Sequence, residues 1–293
     1  ELSGAAVING KLNATEIPGI TVWGYTNSAG TTYPAIALTI TGDYTLNAND
    51  LLTLAGTVSL NAPKLTGDVA AAGNAVIKDT NIGGYLYLNA SDSALTFQGD
   101  NKVNGFSASY YNNVITIGAG AYLEITGSQR LTIGWGNTFN ITGTIEDAKT
   151  ADKSAIKPSL KVAAGITVNG SSALTTFNVT NAYIVLSSTC GTNKNATGKF
   201  VISFTNSIAD LSMFKQQYAY GTYDVDFIDS VINVGANLVF LSPDAVVDVD
   251  NSNITVNSSF GNAGKFTLSN GSVMTVKSML ESTENGYNSG LTI

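Results

Sequence analysis

A short motif, a threonine between two large apolar residues, recurs about a dozen times along the chain. Chance would give only about four copies at these residue frequencies, so the motif is a structural signal. Successive side chains of a strand point to opposite faces, so each copy predicts a short strand with threonine outside and apolar residues inside. The copies are Ile20-Thr21-Val22, Leu38-Thr39-Ile40, Tyr44-Thr45-Leu46, Leu52-Thr53-Leu54, Leu95-Thr96-Phe97, Ile115-Thr116-Ile117, Leu131-Thr132-Ile133, Ile166-Thr167-Val168, Ile254-Thr255-Val256, Phe266-Thr267-Leu268, Met274-Thr275-Val276 and Leu291-Thr292-Ile293. Many short strands predict an all-β protein.

The spacing of these strands favours a right-handed parallel β-helix. Inward apolar pairs recur about every eight residues between Val114 and Ile145, and a less regular run follows from Val225 to Val276. Three strands with their turns make about 22 to 26 residues, which is the length of one solenoid coil. The alternative is a β-sandwich, whose hairpins favour Asn-Gly or Asp-Gly turns. The Asn-Gly dipeptides of this chain do not fall consistently between paired strands, so the sequence favours the solenoid.

We expect one solenoid over residues 1–293, with three departures from the strand pattern. Residues 1–34 contain Trp23, Tyr25 and Tyr33 and predict a cap over one end, because an open solenoid edge invites aggregation. Residues 146–157 concentrate charge and predict an exposed excursion, either a loop or a short helix. The chain ends within a strand motif at residues 291–293, so we expect it to be part of a longer protein.

The third departure is residues 207–223, the best helical candidate in the chain. Ser207 is a residue type that caps helices, and Ile208, Leu211 and Phe214 follow it at helical spacing. We therefore expect an inserted loop or short helix that packs on the solenoid.

Composition restricts the classes of partner. Charged residues make up 12% of the chain, the formal net charge is −7, and Arg130 is the only arginine. A basic groove that neutralises many phosphates is therefore not predicted, and we expect no nucleic-acid partner. The sequence has no apolar stretch of about 18 residues, so we expect no membrane insertion. The single cysteine, Cys190, cannot form an internal disulfide, which suits a bacterial secreted or cell-surface protein.

The chain contains no histidine, which excludes Ser-His-Asp, Cys-His and zinc–histidine sites. Carboxylates remain as candidate ligands or acid–base groups, in two clusters. The clusters are Asp224, Asp226, Asp229 and Asp244, Asp248, Asp250. Carboxylates two residues apart on a strand share one face, which suits a calcium ion, a pair for glycoside hydrolysis, or simply a solvated surface. We expect no cofactor unless calcium binds here, and the sequence leans against an enzyme without deciding the point.

Aromatic residues near turns, which we expect to be exposed, are the candidates for binding carbohydrate. A ring face offers apolar area to a sugar, and the polar end of tyrosine or tryptophan offers a hydrogen bond. The alternative interpretation is that these rings fill coil ends and loop bases. The candidates are Tyr110, Tyr111, Trp135, Tyr218, Tyr220 and Tyr223.

In the runs 114–145 and 225–276 the chain resembles the right-handed parallel β-helix proteins that bacteria secrete, a group of adhesins, autotransporter passenger domains and pectin-lyase-like enzymes. The polygalacturonase-type enzymes of that group use an Asp-Asp pair and Gly-His-Gly, and neither occurs here. The pectate-lyase type uses calcium with a basic residue, but no acidic cluster flanks Arg130. The resemblance therefore implies a secreted or cell-surface structural or adhesive module, with glycans or surface proteins as partners. A polysaccharide-binding or polysaccharide-degrading domain that uses an acidic cluster is the alternative.

Overall fold

The computed structural model describes residues 6–8, 12–13, 20–24, 36–45, 51–129, 131–169, 173–192, 198–216 and 221–279. These residues form β-strands and one short 3-10 helix, Lys153–Ala155. The strands are β1 Ala6–Ile8, β2 Leu12–Asn13, β3 Ile20–Gly24, β4 Ile36–Ile40, β5 Asp43–Thr45, β6 Leu51–Asn61, β7 Lys64–Thr66, β8 Asp68–Lys78, β9 Asn81–Leu88, β10 Ala94–Gln98, β11 Asp100–Ala108, β12 Val114–Ile117, β13 Tyr122–Ile125, β14 Leu131–Gly134, β15 Thr138–Thr142, β16 Leu160–Val162, β17 Ile166–Asn169, β18 Thr175–Thr180, β19 Tyr183–Thr192, β20 Lys199–Thr205, β21 Ile208–Gln216, β22 Thr222–Ile228, β23 Val231–Val234, β24 Leu238–Phe240, β25 Val246–Asp250, β26 Asn253–Asn262, β27 Lys265–Ser269 and β28 Val273–Met279.

The described strands stack in parallel, each on a strand of the next coil. One stack, which we call face 1, runs through β10, β12, β15, β18, β20, β22, β25 and β27. Face 2 contains β13 and β16, and face 3 contains β14 and β17, so a single turn passes through β12, β13 and β14 in order. The chain is therefore a parallel β-solenoid of about ten turns. The all-β solenoid is confirmed, and the alternative sandwich, which needs antiparallel sheets, is wrong.

The core is the inside of the coil. Leu131 and Ile133 are buried while Thr132 between them is half-buried, as the triplet motif predicts. Aromatic rings also pack in a row inside the coil, with neighbouring centroids 5.5 to 6.5 Å apart; two pairs meet edge to face, two are tilted and one is stacked. This row contains Phe97, Phe106, Phe139, Phe177, Phe204 and Phe227. This packing requires each strand to stay in register with its partner on the neighbouring coil, because a shift of one residue would turn the buried side chains outward.

Coil length varies more than the sequence predicts. Val58 pairs with Ala75 on the next coil, whereas Phe139 pairs with Phe177, so the second of these coils is more than twice as long as the first. The long coil contains residues 146–157, here called the charged segment. This segment is a largely exposed loop with one short helix, the 3-10 turn Lys153–Ala155.

Two expectations about local structure need correction. The inserted loop or short helix expected in residues 207–223 is not what the described residues form: Ile208–Gln216 is strand β21 and Thr222–Ile228 is strand β22, while residues 217–220 lie outside the described part. Parallel pairing with β19 and β23 supplies β21 with backbone hydrogen-bond partners, and this overrides the helical spacing. In the expected cap, β1, β2 and β3 pair in parallel with β4, β5 and β6, so these strands form a coil. Tyr25 and Tyr33 lie outside the described residues.

Candidate functional site

The turns that lead from face 3 to face 1 all contain residues in the left-handed backbone region; directly before the buried polar residue these are Asp92, Asn112 and Gly136. Asp92, Asn112 and Trp135 lie in these turns on three successive coils, with φ values of 55°, 57° and 53°. Asparagine and aspartate adopt this left-handed conformation readily, but a bulky residue does so at a cost. Strained residues of this kind concentrate at functional sites, so Trp135 makes this turn a candidate functional site.

Buried polar side chains hold the turns in register. The backbone N–H of Ser93 donates to Oδ1 of Asn113 at 2.9 Å, and the N–H of Asn113 donates to Oδ1 of Asn137 at 2.8 Å. Asn137 Nδ2 donates in turn to the carbonyl of Ala108 at 2.8 Å. All three polar side chains are buried. Because buried polar groups that are fully hydrogen-bonded rigidify a structure, this ladder fixes the position of the turn surface.

Large apolar side chains gather on the outside of the same turns. Tyr110 is 47% exposed, Tyr111 51%, Val114 41% and Leu174 50%, and among the described residues only Val273 joins them as an exposed large hydrophobic residue. Trp135 lies between them and is half-buried. We call this set, Tyr110, Tyr111, Val114, Trp135 and Leu174, the aromatic corner.

Backbone contacts show that the aromatic corner is continuous along the solenoid axis. The N–H of Asn112 donates to the carbonyl of Trp135 at 3.2 Å. On the next coil, the N–H of Gly136 donates to Oγ1 of Thr175 at 3.2 Å, directly after Leu174. Three consecutive coils therefore each place an apolar side chain on one ridge.

The aromatic corner carries little charge. Its turns comprise residues 89–93, 109–114, 134–138 and 173–176, in which Asp92 is the one charged residue. Asn112 Nδ2 donates to Oδ1 of Asp92 at 3.3 Å. The ridge thus combines ring faces with amide and carboxylate groups and has no cation within these turns.

Sequence reasoning missed a second aromatic pair, which lies on face 3 in the strand that leads to this ridge. The rings of Tyr85 and Tyr87 stack with centroids 5.6 Å apart. Gly105 on the next coil leaves room for the Tyr85 ring, because a Cβ there would lie 2.3 Å from a ring carbon. Burial, assisted by the nearby Asp68 carboxylate, raises the pKa of Tyr87. The alternation Tyr-Leu-Tyr in β9 is the signal that could have found this pair.

Of the other predicted aromatic residues, Tyr223 is not at the surface. It is 0% exposed, and its ring stacks on Phe200 with centroids 4.9 Å apart. Tyr223 occupies an inward position of β22, together with Val225 and Phe227. The expectation that Tyr223 is exposed is therefore wrong. Tyr218 and Tyr220 lie outside the described residues.

Three of the six predicted acidic residues come together on the outer side of face 1. Asp226 and Asp248 are direct partners on β22 and β25, and Asp224 lies two residues before Asp226. Burial raises the pKa of Asp226, and repulsion from Asp224 and Asp248 adds to the effect. Lys199 Nζ lies 3.8 Å from the Asp224 carboxylate.

Of the other three acidic residues, Asp250 is also on the outer side of β25, two residues after Asp248, whereas Asp229 and Asp244 lie in turns. Asp229 accepts a hydrogen bond from Asn251, Asp250 accepts hydrogen bonds from Ser269 and Asn270, and Asp244 lies in an exposed turn. Among the described residues, no three acidic, cysteine or histidine side chains are arranged to hold a metal ion. Calcium binding stays a prediction.

The turns from face 1 to face 2 form a second ladder, here called the serine corner: Ser207, Ser230 and Ser252, all buried. The N–H of Ser207 donates to Oγ of Ser230 at 3.1 Å, and the N–H of Ser230 donates to Oγ of Ser252 at 2.8 Å. Asn206, just before Ser207, has a φ of 45°. The backbone conformation before the buried polar residue is therefore the same as at the aromatic corner.

The charged segment covers the flank of the serine corner. Asn206 Nδ2 donates to the carbonyls of Ile145 and Glu146, each at 3.0 Å. Ile145, Ala148 and Ile208 form a small buried cluster beneath the segment. The serine corner is therefore closed by the protein's own chain.

Asp210 anchors the charged segment to face 2. Lys153 Nζ lies 3.0 and 2.9 Å from the two carboxylate oxygens, Tyr183 donates its hydroxyl at 2.7 Å, and Asn233 donates at 2.9 Å. Burial alone would raise the pKa of Asp210, but these hydrogen bonds outweigh it and hold the pKa below its ordinary value. The anchor is therefore strongest when Asp210 is ionised.

No protein-family model, curated protein or solved structure matches this chain. The described part of the chain contains no helix long and apolar enough to cross a bilayer. The class that the fold defines is an all-β parallel solenoid, a fold that by itself specifies no function; function resides in the side chains on its surface.

Proposed function

We propose that this chain is a structural or adhesive module of a secreted or cell-surface protein, that it acts without catalysis, and that it adheres through the aromatic corner. The observation that carries the proposal is the gathering of four exposed large apolar side chains, Tyr110, Tyr111, Val114 and Leu174, around Trp135 on successive coils.

Physical chemistry supports an interaction surface at this place. Single exposed apolar residues are ordinary, but contiguous exposed patches mark sites of interaction. Tyrosine and tryptophan contribute large contact areas with few rotatable bonds, and they dominate the energetics of interfaces. The buried ladder of Ser93, Asn113 and Asn137 preorganises the surface, which lowers the entropic cost of binding.

A polysaccharide-processing domain is the second candidate, and the pairing of Asp226 with Asp248 favours it. Glycoside hydrolysis uses two carboxyl groups, one of which acts as an acid because its pKa is raised, and burial raises the pKa of Asp226. Raised pKa values of this kind also occur in structural clusters. Incubation with plant, mucin and bacterial polysaccharides separates the two candidates: we expect no new reducing ends. Turnover that disappears in Asp226→Asn or Asp248→Asn would contradict the non-catalytic proposal.

An adhesion assay tests the proposal directly. Beads that carry the full chain should adhere to mucin-coated or cell-coated surfaces, and beads that carry the double variant Tyr110→Ser, Tyr111→Ser should not. Val273→Ser is the matched control, because it removes an exposed apolar side chain far from the aromatic corner in the sequence. Absence of adhesion, or equal loss in the double variant and the control, would contradict the proposal. Antibody labelling of intact source cells checks the location.

A further inference from the structure

We infer that the aromatic corner binds an uncharged polysaccharide whose chain runs along the solenoid axis. This inference rests on the proposed adhesive function and adds the class of ligand and its direction.

The direction follows from the stacking of the coils. Tyr111, Trp135 and Leu174 lie on turns of three consecutive coils, joined by the backbone hydrogen bond from Asn112 to Trp135 and the bond from Gly136 to Thr175. Parallel strands repeat about every 4.8 Å, so the ridge extends about 10 Å along the axis. A ridge of that length and a single turn in width offers successive contacts to a linear polymer rather than a pocket for one small molecule.

The kind of ligand follows from the side chains. A ring face offers apolar area to the C–H faces of a sugar, and the phenol and indole groups offer hydrogen bonds at their edges. Asp92 and Asn112 lie in the same turns. An ionised carboxylate has about four lone-pair positions and Asn112 uses one, so Asp92 can accept further hydrogen bonds from sugar hydroxyls.

Charge decides between neutral and acidic polysaccharides. Recognition of carboxylated or sulfated sugars uses arginine or lysine, because charge-assisted hydrogen bonds are the strong ones. The turns of the aromatic corner contain neither residue, and their one charge, on Asp92, repels anions. A protein partner would need about 1,200 Å² of total buried surface, which a ridge of one turn's width does not supply by itself. The observations therefore favour an uncharged polysaccharide.

The experiment measures retention of the full chain on insoluble neutral polysaccharides, namely cellulose, xylan and mannan, and on insoluble polygalacturonate. The informative variants are Trp135→Asn and Tyr111→Asn. Asparagine tolerates the left-handed backbone region better than bulky residues do, so Trp135→Asn, at a φ of 53°, removes the ring and keeps the backbone conformation. Val273→Asn is the control, and melting temperatures establish that all the variants fold.

We expect retention on at least one neutral polysaccharide, about tenfold weaker in either ring variant and unchanged in the control. Retention on polygalacturonate alone would overturn the inference. Adhesion of beads that depends on Tyr110 and Tyr111, without retention on any polysaccharide, would indicate a protein partner; it would overturn this inference and leave the proposed adhesive function intact. Absence of both adhesion and retention would overturn both.

Discussion

The aromatic corner and the serine corner have the same turn conformation and the same buried hydrogen-bond ladder, but the outer surface of the first is exposed and the flank of the second is covered. Each has a residue in the left-handed region followed by a buried polar residue whose side chain accepts the N–H of the preceding coil, as at Asn112–Asn113 and Asn206–Ser207. The serine corner is covered on its flank by the charged segment. The aromatic corner presents its apolar side chains to solvent.

The difference shows that separate residues can serve stability and binding in this fold: the buried ladder stabilises each corner, and the outer side chains are available for a ligand. The interior ladder satisfies backbone groups that would otherwise be buried without partners, and it does so equally well at both corners. The outer side chains contribute little to that ladder and are free to serve a ligand. Trp135 is the exception, since its left-handed φ costs about 1–3 kcal/mol that an asparagine would largely avoid.

The largest expected effect comes from a charged side chain placed in the core, next to the serine corner at Ile254 or next to the aromatic corner at Ile133. Ile254→Asp and Ile133→Asp should each prevent folding, because an unpaired buried carboxylate costs more than about 4 kcal/mol. Thr255→Asp and Thr132→Asp, one residue away on the outer side, should cost less than about 1 kcal/mol. Circular dichroism and thermal melting compare the pairs. Equal tolerance of aspartate at both kinds of position would refute the assignment of inner and outer faces.

The next largest effect tests whether the two ladders are equivalent. Asn113→Ala leaves the N–H of Ser93 without its acceptor, and Ser230→Ala does the same to the N–H of Ser207. Each variant should lose about 1–3 kcal/mol of unfolding free energy in denaturant titrations. Ser128→Ala, at an exposed position, is the control and should be neutral. A large loss at one corner together with none at the other would break the comparison.

Releasing the charged segment from the serine corner should lower the unfolding free energy by a smaller amount. Asp210→Asn weakens the anchor of the charged segment and should cost about 1 kcal/mol. Hydrogen exchange in residues 146–157 should rise, while exchange at the aromatic corner stays unchanged. Because the folded pKa of Asp210 is lowered, its contribution is present above the unfolded pKa and is lost as the pH falls through the folded pKa. Asp43→Asn, which breaks the exposed pair with Lys64, is the control. Unchanged exchange in Asp210→Asn would show that the segment is not held by this anchor.

The smallest expected effect concerns the acidic group on face 1. Asp226→Asn removes a charge that burial and repulsion from two neighbouring carboxylates disfavour, and it should raise the unfolding free energy at neutral pH by about 0.5 kcal/mol. Because the folded pKa of Asp226 is raised, ionisation destabilises the fold, and the advantage of the variant should decline as the pH falls through the folded pKa and vanish below the unfolded pKa. The exposed Asp244→Asn should change little. A loss of stability in Asp226→Asn would contradict the repulsion.

Calcium is tested in the same proteins. If the acidic residues bind calcium, saturating metal should raise the melting temperature by mass action, and Asp226→Asn should abolish the rise. A melting temperature that responds to neither calcium nor chelator would remove the calcium hypothesis.

The repeated triplets predict the strands, because alternation with a period of two is a local property that the fold preserves, and the spacing of the strands predicts the solenoid. Residues 207–216 are the exception, since helical spacing and strand alternation overlap over so short a stretch and only pairing with the neighbouring coils decides between them. The sequence offers Tyr110, Tyr111 and Trp135 only as separate candidates. Their meeting on one ridge depends on coil lengths that the sequence alone does not supply, since the distance in sequence from one coil to the next varies more than twofold along the chain.

The most direct test of the central claim, that the aromatic corner is the binding surface, is the fluorescence of Trp135. The chain has two tryptophans, so Trp23→Phe leaves Trp135 as the only one. Titration of this variant with soluble oligosaccharides of the retained neutral polysaccharide should shift or quench the emission to saturation, because a sugar that stacks on the indole excludes water from it. Oligogalacturonates should have no effect. Emission that stays constant while the polysaccharide retains the same protein would place the binding site elsewhere and contradict the account.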